Sequence, residues 1–417
     1  LVVMNLPYRL EPPLAADLFA EIRRQAIFRC CKWDPQVGDE AVLSPQTLVI
    51  SATTWQTLAE LAEKLSGETI RAEYELRQRP DLHQHLGLPA SIRRVLRHSQ
   101  SRDPAGSSVR VMRFDFHFTP EGWRISEVNS DVPGGYNEAD GFTALMAQHR
   151  PDLRQPARIG QMLARALAEA SPPDRPVALV HATAYSDDRQ VMEFLAHALA
   201  ERGRTSEFVA PDHIRWREGR AFLHTARSQQ EVGILARFFP AEWLPALPRR
   251  TNWAPYFAAT ITPQANPATA LLTQSKRFPL VWPHLAHPLP TWQRLLPSTV
   301  DPRAARPQDG ETWILKPALG RIGEGIGLSG VIGPDELRRI HRSARWWPGH
   351  WVAQHRFQTL PIGFDGTAWY PCLGVYTVNG VAAGIYGRMA RRPLIDSRAH
   401  DVAVLVEPIT ADGKVAA

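Results

Sequence analysis

Arg113, Asp115 and His117 alternate with Met112, Phe114, Phe116 and Phe118, and a second alternating run follows with Trp123, Ile125, Glu127 and Asn129. Period two marks strands, whose successive side chains point to opposite faces. The apolar set predicts a core face, and the polar set lies on its reverse. Pro120-Glu121-Gly122 between the runs predicts a three-residue hairpin loop with Gly122 in a left-handed conformation. In that register Thr119 pairs with Trp123, Asp115 faces Glu127 and Arg113 faces Asn129. A loop of two or four residues would put Asp115 and Glu127 on opposite faces. Two carboxylates and an amide oxygen on one face repel each other unless a hard cation lies between them. Magnesium, which takes oxygen ligands and accompanies nucleotide phosphates, suits Asp115, Glu127 and Asn129. Arg113 would add a fixed charge and paired donors for a phosphoryl group or a developing oxyanion. The same residues also suit a solvated strand face with a cross-strand ion pair. Ser130 to Glu138 reads as a loop bordering this face or as a plain turn, and His117 as structural.

Lysine usage carries a second signal. Of 48 basic residues only five are lysines, Lys32, Lys64, Lys276, Lys316 and Lys414, and the other 43 are arginines. In such a chain a lysine in an apolar or glycine-rich context calls for a specific explanation. Lys316 stands in a strand-like run, Trp313 to Ala318, that leads into a loop with Gly320, Gly323, Gly325 and Gly327. The loop lacks the spacing and following helix of a Walker A or dinucleotide motif. Its glycines would still let backbone N–H groups approach phosphates, with Lys316 and Arg321 supplying charge. A plain hairpin tip has the same composition. Lys276 ends the apolar stretch Leu271-Leu272-Thr273-Gln274-Ser275 and, taken alone, suits a surface charge.

The elements that must position these residues are mixed. Helical spacing runs from Pro13 to Phe28 and from Thr53 to Leu65, where Gly67 is a stop signal. Ile159 to Ala170 is amphipathic, and Ser171-Pro172-Pro173 then breaks the chain before the apolar run Val177 to Val180. A helix carrying Val191, Phe194, Leu195, Ala198 and Leu199 follows and ends at Gly203, completing a βα unit. A short helix is expected around Ala268 to Lys276, and strands over Thr312–Ala318, Trp351–His355, Cys372–Val378 and Val381–Tyr386. Asn379-Gly380 is a tight hairpin turn. Three parts result: 1–156 with helices and the acidic hairpin, a small α/β unit over 157–260, and 261–417 with the lysines and glycine-rich loop.

At 417 residues with 44% hydrophobic and 22% charged content, the chain is globular and enzyme-sized. No apolar run is long enough to span a bilayer, and Leu1 to Leu10 lacks the layout of a signal peptide, so a cytoplasmic protein is expected. Cys30, Cys31 and Cys372 suit neither a disulfide framework nor a four-ligand zinc site and read as buried free thiols. The net charge of +6 comes from scattered arginines interleaved with acids, so no nucleic-acid partner is expected.

Taken together, Arg113-Phe-Asp115, Glu127-Val-Asn129, Gln274-Ser-Lys276, Leu315-Lys316-Pro317 with Gly320-Arg321, and Gly384-Ile-Tyr-Gly-Arg388 resemble the synthetase part of the glutathionylspermidine synthases. The resemblance spans most of the chain. It implies an α+β, circularly permuted ATP-grasp fold with a small α/β pre-ATP-grasp domain, because the acidic hairpin precedes both lysines. It also implies an ATP- and magnesium-dependent ligase joining a carboxylate to an amine through an acyl phosphate. Position by position, Asp115, Glu127 and Asn129 would hold magnesium, and Arg113 would stabilise the acyl phosphate. Lys276 and Lys316 would bind ATP phosphates, Gly320 to Gly327 would cover them, Arg388 would contact the terminal phosphate and Gln354 would lie at the adenine. Val132 and Gly134 replace serines of that family, and Asp187-Asp188 stands roughly where it has a glutamate pair, so the resemblance does not carry over glutathione and spermidine as the substrates. A phosphotransferase or a non-catalytic nucleotide-binding protein on the same fold is the alternative.

Overall fold

A computed structural model describes residues 6–37, 40–99, 108–225, 229–305, 312–320 and 325–408. Its centre is a mixed sheet in the order Tyr8–Glu11, Leu43–Ser51, His400–Glu407, Val381–Ala390, Thr367–Val378, Val111–Thr119 and Gly122–Asn129, with Ile362–Phe364 paired beside the start of Thr367–Val378. Only Leu43–Ser51 and His400–Glu407 run parallel; the other neighbours are antiparallel. The expected Asn379-Gly380 turn joins two of these strands with positive φ at both residues, 49° and 86°.

One face of the sheet is apolar. Met112, Phe114, Phe116, Val375, Ile385 and Val404 pack there against the helix Ala52–Arg77, whose Leu58, Leu65, Ala72 and Leu76 are fully buried. Ser51 starts this helix by accepting the Thr54 N–H at 3.0 Å. Gly67 does not stop it, contrary to the sequence expectation. An interior glycine costs about 1 kcal/mol. A fully buried leucine contributes roughly 1.5–3 kcal/mol, so Leu76 on the far side of the expected end, with Thr69 and Ala72, carries the helix through. Glu68, on the same buried side, accepts the N–H groups of Thr291 and Trp292 at 3.0 and 3.1 Å and so caps the helix Pro290–Leu295.

A four-stranded parallel sheet, Ser206–Val209, Val177–Val180, Ile234–Arg237 and Gln264–Ala265, is covered by the helices Ile159–Ala170 and Ser186–Ala200. Its last strand lies past residue 260. A third, antiparallel sheet of Thr299–Val300, Trp351–His355 and Trp313–Pro317 packs Leu315 and Ala353 against Ile340 and Ala344 of the helix Pro334–Trp346. The stretch expected as one helix from Ala268 to Lys276 is a single 3-10 turn, Ala268–Ala270, followed by one α-helical turn, Leu271–Gln274. The three cysteines are free and buried.

Candidate functional site

The acidic hairpin differs from the expected one in a way that preserves its consequence. Thr119 pairs with Gly122 across a two-residue loop, Pro120-Glu121, and the pairing runs Phe118 with Trp123, His117 with Arg124 and Phe116 with Ile125. Uninterrupted, that register would put Asp115 and Glu127 on opposite faces. A β-bulge at Ser126-Glu127 opposite Asp115 adds one residue, after which Phe114 pairs with Val128 and Arg113 with Asn129. Asp115, Ser126, Glu127 and Asn129 therefore all line one cavity of about 1010 Å³. The polar face is not solvated: Arg113 is 7% and Asp115 1% exposed.

Gly374 explains how this wall closes. It pairs with Asp115 on one side and with Tyr386 on the other. A methyl group there would lie 2.7 Å from Arg113 Cδ and 2.9 Å from Asp115 Oδ1, so only glycine leaves room. Over this gap Arg113 donates from Nε and Nη2 to both Asp115 oxygens at 2.8 and 3.1 Å, and Arg388 donates to Asp115 Oδ2 at 2.9 Å from two strands away. Burial would raise the Asp115 carboxyl, but Arg113 and Arg388 outweigh it and hold it below the ordinary carboxylate range. Arg113 also donates to the Gly134 carbonyl at 2.9 Å. That contact fixes the loop after Asn129, which Gln274 ties down by accepting the N–H groups of Ser130 and Asp131.

The two lysines meet the same wall. Lys276 N–H donates to the Ala318 carbonyl at 2.9 Å, joining its segment to the end of the Lys316 strand. Lys276 Nζ lies 3.0 Å from Glu127 Oε2 and donates to the Gly320 carbonyl at 2.6 Å. Burial raises Glu127, yet Lys276, then Lys316, hold it below the usual range despite Asp115 nearby. Lys316 donates to the Ser126 carbonyl at 3.1 Å and to Gln354 Oε1 at 2.7 Å. Burial, with Lys276 adjacent, draws Lys316 down to about 8 against the pull of Glu127 and Asp115. Gln354 does not line the cavity. It stands behind Lys316, its amide donating to Thr299 Oγ1 at 3.1 Å, and is better placed to orient that lysine than to meet a base. Gly320 packs on the Pro317 ring, where a side chain would collide at 2.5 Å. Arg321 and Gly323, expected at phosphates, lie outside the described residues. Burial draws His117 down to about 4, so it is neutral near pH 7, with Nε2 3.1 Å from Ser126 Oγ.

A second cluster on the cavity wall was not singled out from sequence. Lys32, 4% exposed, lies 2.6 Å from Glu138 Oε1, 3.0 Å from Asp34 Oδ1 and 3.3 Å from Asp401 Oδ2. The three carboxylates outweigh burial and keep this lysine charged. Tyr386 connects the clusters: its hydroxyl donates to Asp401 Oδ1 at 2.6 Å. The scarcity of lysine could have pointed to Lys32 as it did to Lys276 and Lys316. Asp187 and Asp188 line the cavity on this side.

Four cations, Arg113, Arg388, Lys276 and Lys316, meet two carboxylates, Asp115 and Glu127, leaving an excess of two positive charges at a sheltered surface. Such a wall suits a polyanion. Two carboxylates and the Asn129 amide are hard oxygen donors and fit magnesium. Among the described residues no three His, Cys, Asp or Glu side chains converge as a metal cage.

A mixed sheet facing a small three-stranded sheet across this cavity, with a parallel α/β unit beside it, defines an α+β fold of the ATP-grasp type. Residues 31–407 match the family described as glutathionylspermidine synthase preATP-grasp, and the chain belongs to that family. The solved structure of a glutathione synthetase-like effector from Globodera pallida, in apo form, has a TM-score of 0.65 and covers 94% of this chain and 97% of that chain at 12% identity. This is a likeness of fold. A putative gamma-glutamylcysteine synthetase from Methylobacillus flagellatus KT has a TM-score of 0.45 at 12% identity, covering 81% of this chain and 88% of that one. No curated protein matches the chain. No helix among the described residues is long and apolar enough to cross a membrane.

Proposed function

We propose that the protein is an ATP- and magnesium-dependent ligase that joins a carboxylate to an amine. The observation that carries this reading is the meeting of Arg113, Arg388 and Lys316 with Asp115 and Glu127 on the lining of one large cavity, with Lys276 outside that lining and paired to Glu127. A triphosphate laid on this wall would meet Lys276 and Lys316, and its terminal phosphoryl group the two arginines. Asp115, Glu127 and Asn129 would hold magnesium, which when bound neutralises phosphate charge. A substrate carboxylate oxygen attacks the γ-phosphorus while the bond to the bridging oxygen breaks, giving an acyl phosphate and ADP. The amine nitrogen then attacks the carbonyl carbon, phosphate leaves with the C–O bonding pair, and the nitrogen loses a proton to give the amide. Arg113 and Arg388 stabilise charge on the phosphoryl oxygens through both steps, and the chain's contribution is positioning and electrostatics. No side chain need become a covalent nucleophile.

The test is an ADP-release screen of amino acids, peptides and polyamines with magnesium, with products identified by mass spectrometry. An amide product is expected from one acid–amine pair. Arg113→Ala should lower turnover by about 10²–10³-fold, the size seen when one oxyanion donor is lost, and Glu127→Ala should raise the magnesium requirement. Turnover untouched by both substitutions would refute the assignment, and a phosphorylated product without an amide would make the protein a phosphotransferase.

A further inference from the structure

The guanidinium carbons of Arg113 and Arg388 each lie 5.2 Å from the centroid of one ring, that of Tyr386. The arrangement follows from the sheet. Arg113 pairs with Tyr376, and Gly374 pairs with both Asp115 and Tyr386, so the missing side chain at 374 lets the arginines and the ring meet. The ring is held from two sides. Its hydroxyl donates to Asp401, which also contacts Lys32, and Gly135, at φ 91°, packs so closely that a side chain there would come within 2.8 Å of the ring. Among the described residues Asp115 is the carboxylate that both arginines share. A carboxylate holds a guanidinium by occupying its N–H donors, and those are the donors an incoming anion needs. An aromatic face attracts the cation through its quadrupole and leaves the N–H edges free.

We propose that Tyr386 is a positioning residue whose ring face keeps the Arg113 and Arg388 guanidinium groups together at the cavity when Asp115 turns to another cation, leaving their N–H groups for a phosphoryl oxyanion. The close packing of Gly135 holds the ring itself, so loss of the Asp401 hydrogen bond alone leaves it in place. This rests on the wall being a phosphoryl site, so the test reads anion binding apart from turnover.

Inorganic phosphate is titrated calorimetrically into the whole protein with magnesium and ADP present, for the wild type, Tyr386→Phe, Tyr386→Leu and Arg113→Met. The wild type should bind phosphate and Arg113→Met should abolish the heat. Tyr386→Phe, which keeps the ring, should stay within about threefold of wild type, and Tyr386→Leu should weaken binding about tenfold, the scale of a sheltered cation–π contact. Circular dichroism and thermal melting check folding, and Tyr386→Met replaces the leucine variant if that does not fold. In the ADP-release assay the ring-less variant should lose kcat and keep its KM for ATP. Equal phosphate affinity in Tyr386→Leu and wild type, a phenylalanine variant as weak as the leucine variant, or binding that survives Arg113→Met would each overturn the proposal. Wild-type protein that binds no phosphate would do the same. Phosphate binding with the expected pattern, but no ADP release from any acid–amine pair, would uphold Tyr386 and sink the ligase reading instead.

Discussion

Lys316 shows how burial can make a charged side chain responsive to its ligand. It is held at about 8 because burial and the neighbouring Lys276 outweigh Glu127 and Asp115. Its folded value is below that of a free lysine, about 10.4. The unfolded chain therefore binds more protons between those values, and this group's contribution to stability rises with pH across that window. Nucleotide binding has the opposite effect. Phosphates beside Lys316 would raise its value, so binding at pH 8–9 should take up a proton and affinity should fall as pH rises, by at most about one log unit per pH unit. Calorimetry of ATP binding in buffers of different ionisation enthalpy measures that uptake. Lys316→Met should remove it, and no uptake in the wild type at pH 8.5 would contradict the placement of phosphates at this lysine. The lysine itself was legible in sequence because arginine fills most basic positions here. Lys32 carries the same signal of scarcity, but its role does not follow from it, because Cys30-Cys31-Lys32-Trp33 has no glycine or period beside it and its partners Glu138 and Asp401 lie more than a hundred residues away.

At the scale of elements, the bulge decides the site. Alternation made the two faces of Val111–Thr119 readable, since Met112, Phe114 and Phe116 are core and Arg113, Asp115 and His117 are not. Pro120-Glu121-Gly122 reads as a three-residue loop, but the loop has two residues and the extra residue sits in the strand, where Ser126-Glu127 opposes Asp115. A bulge leaves no period-two signature of its own, so turn chemistry and register could not be separated from sequence alone. Deleting Ser126 should remove the bulge yet keep the faces, because Glu127 then opposes Asp115 directly while Val128 stays opposite Phe114 and Asn129 opposite Arg113. What is lost is the Ser126 carbonyl that accepts from Lys316 and the hydroxyl beside His117 Nε2. The expected outcome is a lowered melting temperature with the thermal shift produced by magnesium and ATP retained. Ser126→Gly, which keeps the residue count and the carbonyl, should keep the shift and more of the stability. A deletion variant that folds but no longer responds to magnesium and ATP would show that the bulge geometry itself, not the choice of face, places Glu127.

Over the whole molecule, the central sheet is assembled from distant parts of the chain. His400–Glu407 lies between Leu43–Ser51 and Val381–Ala390, so it has a partner on each side. It was missed in sequence because Val402 to Val406 is a continuous apolar run without alternation, as expected of a strand covered on both faces. Leu43–Ser51 was missed because Pro45 argues against a strand. The acidic hairpin and Lys316 lie on strongly patterned strands, whereas the frame holding them is built from segments whose pattern is erased by burial. Val402, Val404 and Leu405 are 3% exposed or less. At roughly 1.5–3 kcal/mol for each buried side chain, these three alone contribute on the order of 5–9 kcal/mol. That is comparable with the whole stability of a folded domain, about 5–15 kcal/mol. A chain ending at Asp396 should therefore lose its cooperative thermal transition altogether, not only the contacts of Asp401 with Lys32 and Tyr386. Asp401→Asn in the full chain separates the two effects, since it keeps the strand and should keep a single transition at a lower temperature. Scanning calorimetry of both variants decides the matter: a truncated chain that still melts cooperatively near the wild-type temperature would mean that the sheet closes without its central parallel pair.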